Sequence, residues 1–82
     1  MIRFETTPNP NALKCVTDGA IVDGIRSYRS AEDADDALPR ALFEIPGVTG
    51  VLINNNWMTV NKSPDASWKT IRPAVEEILG AR

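Results

Sequence analysis

Cys15 is the one thiol in a chain of 82 residues, and the sequence contains no histidine. Thiolates and imidazoles are the ligands of structural zinc and iron–sulfur sites, so one chain supplies at most one ligand of this kind. A disulfide within the chain is excluded for the same reason. Cys15 shares a face of a predicted strand with Leu13, and no histidine or patterned lysine lowers its pKa. We interpret it as an inert core residue, with a reactive thiol or a shared metal ligand as the alternative.

The segment Glu32–Asp36 holds four carboxylates, the densest group of charges in the chain. Counted as a calcium-binding EF-hand loop from Asp33, it places Ala37 at the fifth position and Leu38 at the sixth. An oxygen ligand and a glycine are needed there, so the calcium interpretation fails. We interpret the segment as a solvated approach to a helix, with Asp36 as its N-cap.

Composition and missing motifs exclude several other classes of function. Without histidine, the available general bases are carboxylates and lysines, which every surface offers, and no GxSxG, P-loop or dinucleotide-binding motif is present. The formal charge of −2 supplies no basic field for nucleic acid. No apolar run approaches the ~20 residues of a membrane span. We predict a non-enzymatic, cytoplasmic protein of one domain, residues 1–82, that binds neither nucleic acid nor membranes.

The N-terminal part of the chain has the pattern of a β-hairpin. Residues 2–5 alternate between apolar and charged side chains, which predicts a half-buried strand over the first seven residues. The prolines and asparagines of Thr7–Asn11 end this strand, and a second is predicted over Ala12–Thr17. A connection of five residues favours antiparallel pairing. Lys14 then lies on the face opposite Cys15.

The rest of the chain alternates between strand and helix patterns that place both helices on one face of the sheet. The predicted elements are a short edge strand at 25–29, a helix at 37–45, strands at Val48–Ile53 and Trp57–Lys62, and a second helix from Asp65–Ser67 to Gly80. The order ββ(β)αββα predicts an α+β two-layer sandwich. Its mostly antiparallel sheet has four strands, or five if 25–29 pairs.

Two surfaces are candidates for partner binding. If Asn54–Asn56 forms a three-residue loop, Val51, Ile53 and Trp57 lie on the sheet face away from the helices. Such a group is either a docking surface or a locally packed hairpin face with one exposed aromatic. The second candidate comprises Thr7, Pro8, Asn9, Pro10, Asn11 and Lys14. It is either a stiff docking loop or a structural corner whose asparagines bond to their own backbone.

Four segments of the chain resemble a known family. TPNPNALKC at Thr7–Cys15, LFEIPGVTGV at Leu42–Val51, WMTVNK at Trp57–Lys62 and WKTIRP at Trp68–Pro73 are similar to the N-terminal domain of Nfu/NifU-like iron–sulfur scaffold proteins, in the family's order and at about its spacing. The family's domain is a compact α/β module. In full-length members, cluster chemistry belongs to a separate C-terminal domain with a Cys-X-X-Cys motif, so we expect a stand-alone N-terminal domain.

The resemblance implies a non-catalytic module that contacts iron–sulfur assembly or recipient proteins, as a monomer or a weak homodimer. It implies no catalytic, cofactor-binding or metal-binding residue and no cofactor in the isolated chain. An iron–sulfur cluster is associated with this chain only through the family. The alternative is direct binding of iron or a cluster. That alternative needs Cys15 ligands from several chains, or partner ligands, because a [4Fe–4S] cluster takes four thiolates.

Overall fold

The computed structural model describes residues 2–19, 21 and 24–80, and it confirms the predicted α+β architecture with five strands. The elements in chain order are β1 (Arg3–Thr6), β2 (Ala12–Val16), β3 (Ile25–Tyr28), α1 (Ala37–Phe43), β4 (Val48–Asn54), β5 (Trp57–Lys62) and α2 (Trp68–Gly80), with a short 3₁₀ turn at Ala31–Asp33. The uncertain strand at 25–29 therefore forms. Neither described helix has the length and apolar character that a membrane crossing requires.

The sheet is antiparallel throughout and has the order β1-β2-β5-β4-β3. The β4–β5 hairpin is thus inserted between β2 and β3, and β1 and β3 form the edges. Both helices contribute to one core with the central strands, so they cover the same face of the sheet. The most deeply buried members of this core are Cys15, Leu42, Ile53, Met58, Val60, Ile71 and Val75.

The β4–β5 hairpin has a turn of two residues, so the predicted three-residue loop is wrong. Asn54 pairs with Trp57 and Ile53 pairs with Met58. Asn55 adopts a left-handed φ of 53°, which asparagine tolerates better than most residues. A change of one residue in loop length moves one strand's side chains to the other face, because they alternate with a period of two.

This register corrects the predicted exposed patch. Val51 and Ile53 are 2% and 0% exposed and lie in the core beneath the helices. Their predicted place on the open face, which we define as the sheet face away from the helices, is wrong. Trp57 does lie on the open face, where its neighbours are Leu52 and Thr59. Val51 and Ile53 therefore cannot contact a partner in the folded chain.

The first helix begins where the sequence predicts. Asp36 is its N-cap, with an extended φ of −146°, and its carboxylate accepts a 2.8 Å hydrogen bond from the Ala37 N–H. Pro39 is buried in the first turn, where its missing N–H leaves no hydrogen bond unmade. The helix ends at Phe43, two residues before the predicted end, yet Ile45 is still buried.

The second helix runs without interruption from Trp68 to Gly80. Its start is fixed by the Ser67 hydroxyl, which accepts a 3.2 Å hydrogen bond from the Lys69 N–H. Pro73 lies inside the helix on its exposed side. The predicted apolar stripe faces the sheet, with Ile71 and Val75 fully buried and Trp68, Ile78 and Leu79 partly buried against the core.

The tip of the β4–β5 hairpin holds the connection from β2 to β3. The Asn56 carbonyl accepts a 2.8 Å hydrogen bond from the Thr17 N–H, and the Asn55 carbonyl accepts one of 2.6 Å from Ile21. The Asn55 N–H donates to the Gly24 carbonyl at 3.1 Å. Thr17, Ile21 and Gly24, described residues of this connection, are therefore each hydrogen-bonded to the tip of the central hairpin.

Matched substitutions at two isoleucines test the register. We expect Ile53→Val to lower the free energy of unfolding by about 0.5–1.5 kcal/mol, because it removes a methyl group from the packed core. Ile25→Val should change it by no more than about 0.5 kcal/mol, because Ile25 is 68% exposed. Urea unfolding followed by circular dichroism measures both. Equal losses in the two variants would contradict the register.

Candidate functional site

The Thr7–Asn11 loop is held by hydrogen bonds to its own backbone. The Asn9 side-chain oxygen accepts a 2.9 Å bond from the Asn11 N–H, and the Asn9 carbonyl accepts one of 3.0 Å from the Ala12 N–H. The Thr7 hydroxyl accepts from the Asn9 N–H at 3.2 Å. This is the structural-corner geometry, in which the Asn9 side-chain oxygen stabilises the turn.

The same loop is also fixed to the far end of β5 and the start of α2. The Lys62 ammonium donates to the Asn11 side-chain oxygen at 3.0 Å, and the Lys62 N–H donates to the Asn11 carbonyl at 2.8 Å. The Trp68 indole N–H donates to the Pro10 carbonyl at 3.0 Å. Sequence analysis did not assign Lys62 or Trp68 to this site, although both lie in the segments that resemble the family. The loop therefore presents Pro8, Asn9 and Pro10 on a rigid support.

Lys14 lies on the open face, and it is not an isolated cation. Its ammonium is 5.0 Å from the centre of the Trp57 ring and 3.9 Å from a Glu5 carboxylate oxygen. Arg3 contacts the same carboxylate at 3.0 Å. Lys14 and Trp57 are thus brought together. Val51 and Ile53, whose predicted place is beside Trp57, lie on the opposite side of the sheet.

The open face carries a different apolar group from the predicted one. Its members are Val16, Ile25, Leu52 and Trp57, which we call the open-face patch. Val16 pairs directly with Trp57, and Leu52 lies diagonal to both Trp57 and Ile25 in the register. The alternation of apolar residues could have indicated Leu52, but Ile25 joins the group only through the pairing of β3 with β4.

Cys15 is fully buried at the centre of the N-terminal strands. It pairs with Phe4 on one side and Met58 on the other. Burial raises the pKa of its thiol to about 12, with a small opposing effect of the Arg72 charge and a small supporting effect of Glu76. In residues 2–19, 21 and 24–80, no three acidic, cysteine or histidine side chains are grouped so that they could hold a metal ion.

The acidic segment joins β3 to α1 through its side chains. The Asp35 carboxylate accepts a 3.0 Å hydrogen bond from the Tyr28 hydroxyl, and Asp33 accepts one of 3.1 Å from the Arg29 N–H. The pKa of Tyr28 is raised, first by desolvation and then by its bond to Asp35. Together with the Asp36 cap, these hydrogen bonds indicate that the carboxylates order the connection between β3 and α1.

Comparison with known proteins identifies the family. The family described as "Scaffold protein Nfu/NifU N terminal" matches residues 2–82. The chain belongs to this family. The match includes both the Thr7–Asn11 loop and the strands of the open face.

Relatives of this Nfu N-terminal chain include proteins that are much longer than the chain itself. It is 31% identical over 77 residues to "Conserved virulence factor C" of Staphylococcus aureus strain bovine RF122, covering 93% of this chain and 21% of that protein. It is 29% identical over 80 residues to "NifU-like protein 5, mitochondrial" of Arabidopsis thaliana, covering 95% of this chain and 29% of that protein. The chain therefore spans less than a third of the length of these curated relatives.

Solved structures agree with the fold. The solution structure of a NifU-like protein from Saccharomyces cerevisiae has a TM-score of 0.85 at 28% identity, covering 99% of this chain and 76% of that one. The crystal structure of protein SAV1430 from Staphylococcus aureus has a TM-score of 0.79 at 25% identity, covering 95% and 96% of the two chains. The α+β sandwich is thus shared with NifU-like proteins.

The raised pKa of Cys15 predicts a loss of stability at alkaline pH. Between pH 9.0, where the thiol ordinarily ionises, and its folded value of about 12, unfolding releases a proton, so higher pH favours the unfolded state. We expect the free energy of unfolding of the wild type to fall by about 1 kcal/mol per pH unit more than that of Cys15→Ala in this range. Urea unfolding of both proteins across the range measures the difference. The two proteins differ only at residue 15, so parallel profiles would contradict a buried, protonated thiol.

Proposed function

We propose that this Nfu N-terminal chain is a non-catalytic interaction module that acts in iron–sulfur cluster assembly or delivery. The observation that carries the proposal is the position of Cys15, the one thiol of the chain, which is 0% exposed with a raised pKa. A protonated thiol beneath a helix layer is a poor ligand, because metals bind the thiolate. The chain therefore contributes through its surface, and family membership supplies the iron–sulfur context.

Direct cluster binding through Cys15 requires more than added ligands. Because Cys15 lies on the sheet face that the helices cover and is 0% exposed, its sulfur reaches solvent only if the helix layer separates from the sheet. That separation opens the core at its most buried point. The interaction module needs no such opening, and we therefore prefer it to the shared-ligand alternative.

The proposed contact surface comprises the exposed part of the Thr7–Asn11 loop together with Lys14. Pro8, Asn9 and Pro10 are exposed, and hydrogen bonds on both sides hold them in place. A loop that is already ordered loses little conformational entropy when it binds. The proposed partners are iron–sulfur assembly or recipient proteins in the cytoplasm. We propose a monomer or weak homodimer that binds neither nucleic acid nor membranes.

A double substitution tests the contact surface. We expect Asn9→Ala with Lys14→Ala to reduce the capture of iron–sulfur assembly proteins from a cell extract by about tenfold, while stability falls by only about 1–2 kcal/mol through one turn hydrogen bond and one surface charge pair. Capture is quantified by mass spectrometry. Lys69→Ala, which removes an exposed lysine from α2, is the matched control. Unchanged capture by the folded double variant would rule out this surface.

Anaerobic reconstitution tests the alternative directly. After incubation with iron and sulfide and then desalting, we expect the wild-type chain to retain substoichiometric iron and no stable visible charge-transfer band, because one buried thiol cannot satisfy a cluster. The control is Cys15→Ser under the same conditions. A stable band with stoichiometric iron in the wild type, absent from Cys15→Ser, would favour direct binding over the interaction module.

A further inference from the structure

The charges of the open face have the opposite sign to those of the whole chain. The chain has a formal charge of −2. The strand register places the cations Arg3 and Lys14 and the carboxylate Glu5 on the open face, and Arg29 borders a depression at its other end. Arg3 and Lys14 both contact that carboxylate, at 3.0 Å and 3.9 Å, and so neutralise it. The open face is therefore a positive area on a negative molecule.

A shallow depression rich in hydrogen-bond donors lies at one end of this face. Its base is the backbone at Gly50, where a side-chain carbon would meet the Tyr28 carbonyl at 3.5 Å and the Asn61 amide nitrogen at 3.6 Å. Ser27, Arg29 and Asn61 are among the residues around it. The hydroxyl, guanidinium and amide can all donate, and a guanidinium fits a carboxylate with two parallel hydrogen bonds. This chemistry suits a carboxylate side chain.

The open-face patch lies beside the depression. Ile25 is 68% exposed, and Trp57 is held in place by Lys14 at 5.0 Å. Exposed aromatic and aliphatic groups with a charged border are typical of protein interfaces. Leu52 connects the two features, since it belongs to the patch and also borders the depression.

We propose that the open face binds an acidic amphipathic segment of a partner protein. The apolar side chains of the segment cover Trp57, Leu52 and Ile25, and its carboxylates pair with Arg29 and with the cations near Glu5. This inference rests on the proposed function and adds the chemistry of the partner. A second copy of the chain is a poorer occupant, because two positive faces would oppose each other.

Selection from a random peptide library displayed on phage tests this proposal. We expect peptides enriched on the immobilised wild type to carry net negative charge with at least two apolar residues, because both features of the face are then used. Arg29→Glu and Ile25→Asp should each weaken the enriched peptides by about tenfold or more. Both side chains are exposed, so neither change disturbs the core. Lys69→Glu, the matched charge reversal on α2, should leave affinity within about twofold.

Other outcomes would overturn the proposal. These are no enrichment, enrichment of neutral or basic peptides, an equal effect of Lys69→Glu and Arg29→Glu, or a dimer in sedimentation equilibrium that Ile25→Asp dissociates. The last would assign the face to a second copy. Arg29 and Ile25 lie outside the Thr7–Asn11 loop. If the peptide test fails but the chain still captures iron–sulfur assembly proteins, the proposal for the open face is wrong and the proposed function is retained. Peptide binding without any such capture would overturn the proposed function alone.

Discussion

The register of the central β4–β5 hairpin decides which side chains of these strands reach the helices. With a two-residue turn at Asn55 and Asn56, the apolar side chains of Val51, Ile53, Met58 and Val60 lie on the helix side. Burial of each is worth about 1.5–3 kcal/mol, so the four together are comparable to the whole free energy of unfolding of a small domain. A slip of one residue would expose half of this group, and packing therefore permits one register only.

The same turn fixes the far edge of the sheet. The tip of the hairpin accepts hydrogen bonds from Thr17 and Ile21 and donates one to Gly24, and β3 follows directly and pairs with the outer side of β4. Ile25 and Arg29 reach the open face by this route. The open face is thus assembled from segments distant in sequence, and its order depends on the core behind it.

Local chemistry predicted much of the fold, and tertiary pairing decided the rest. The Asp36 cap, the corner at Thr7–Asn11 and the burial of Cys15 each follow from a few adjacent residues, and the structure has all three. The hairpin register does not follow in this way, since three consecutive asparagines tolerate a loop of either length and both faces of β4 contain apolar residues. The face of the sheet on which Ile25 lies could not be predicted, because it depends on the pairing of β3 with β4.

The thiol, the clustered carboxylates and the Asn9 side chain, which sequence analysis considers as functional groups, stabilise the fold. Cys15 fills the core as a small apolar residue, the carboxylates near Asp36 order a connection, and Asn9 stabilises its own turn. What remains exposed is rigid, because strands buried on one face cannot move freely on the other. A rigid face with one aromatic anchor and a few cations selects partners by shape and charge. Such selection is what the proposed interaction module requires.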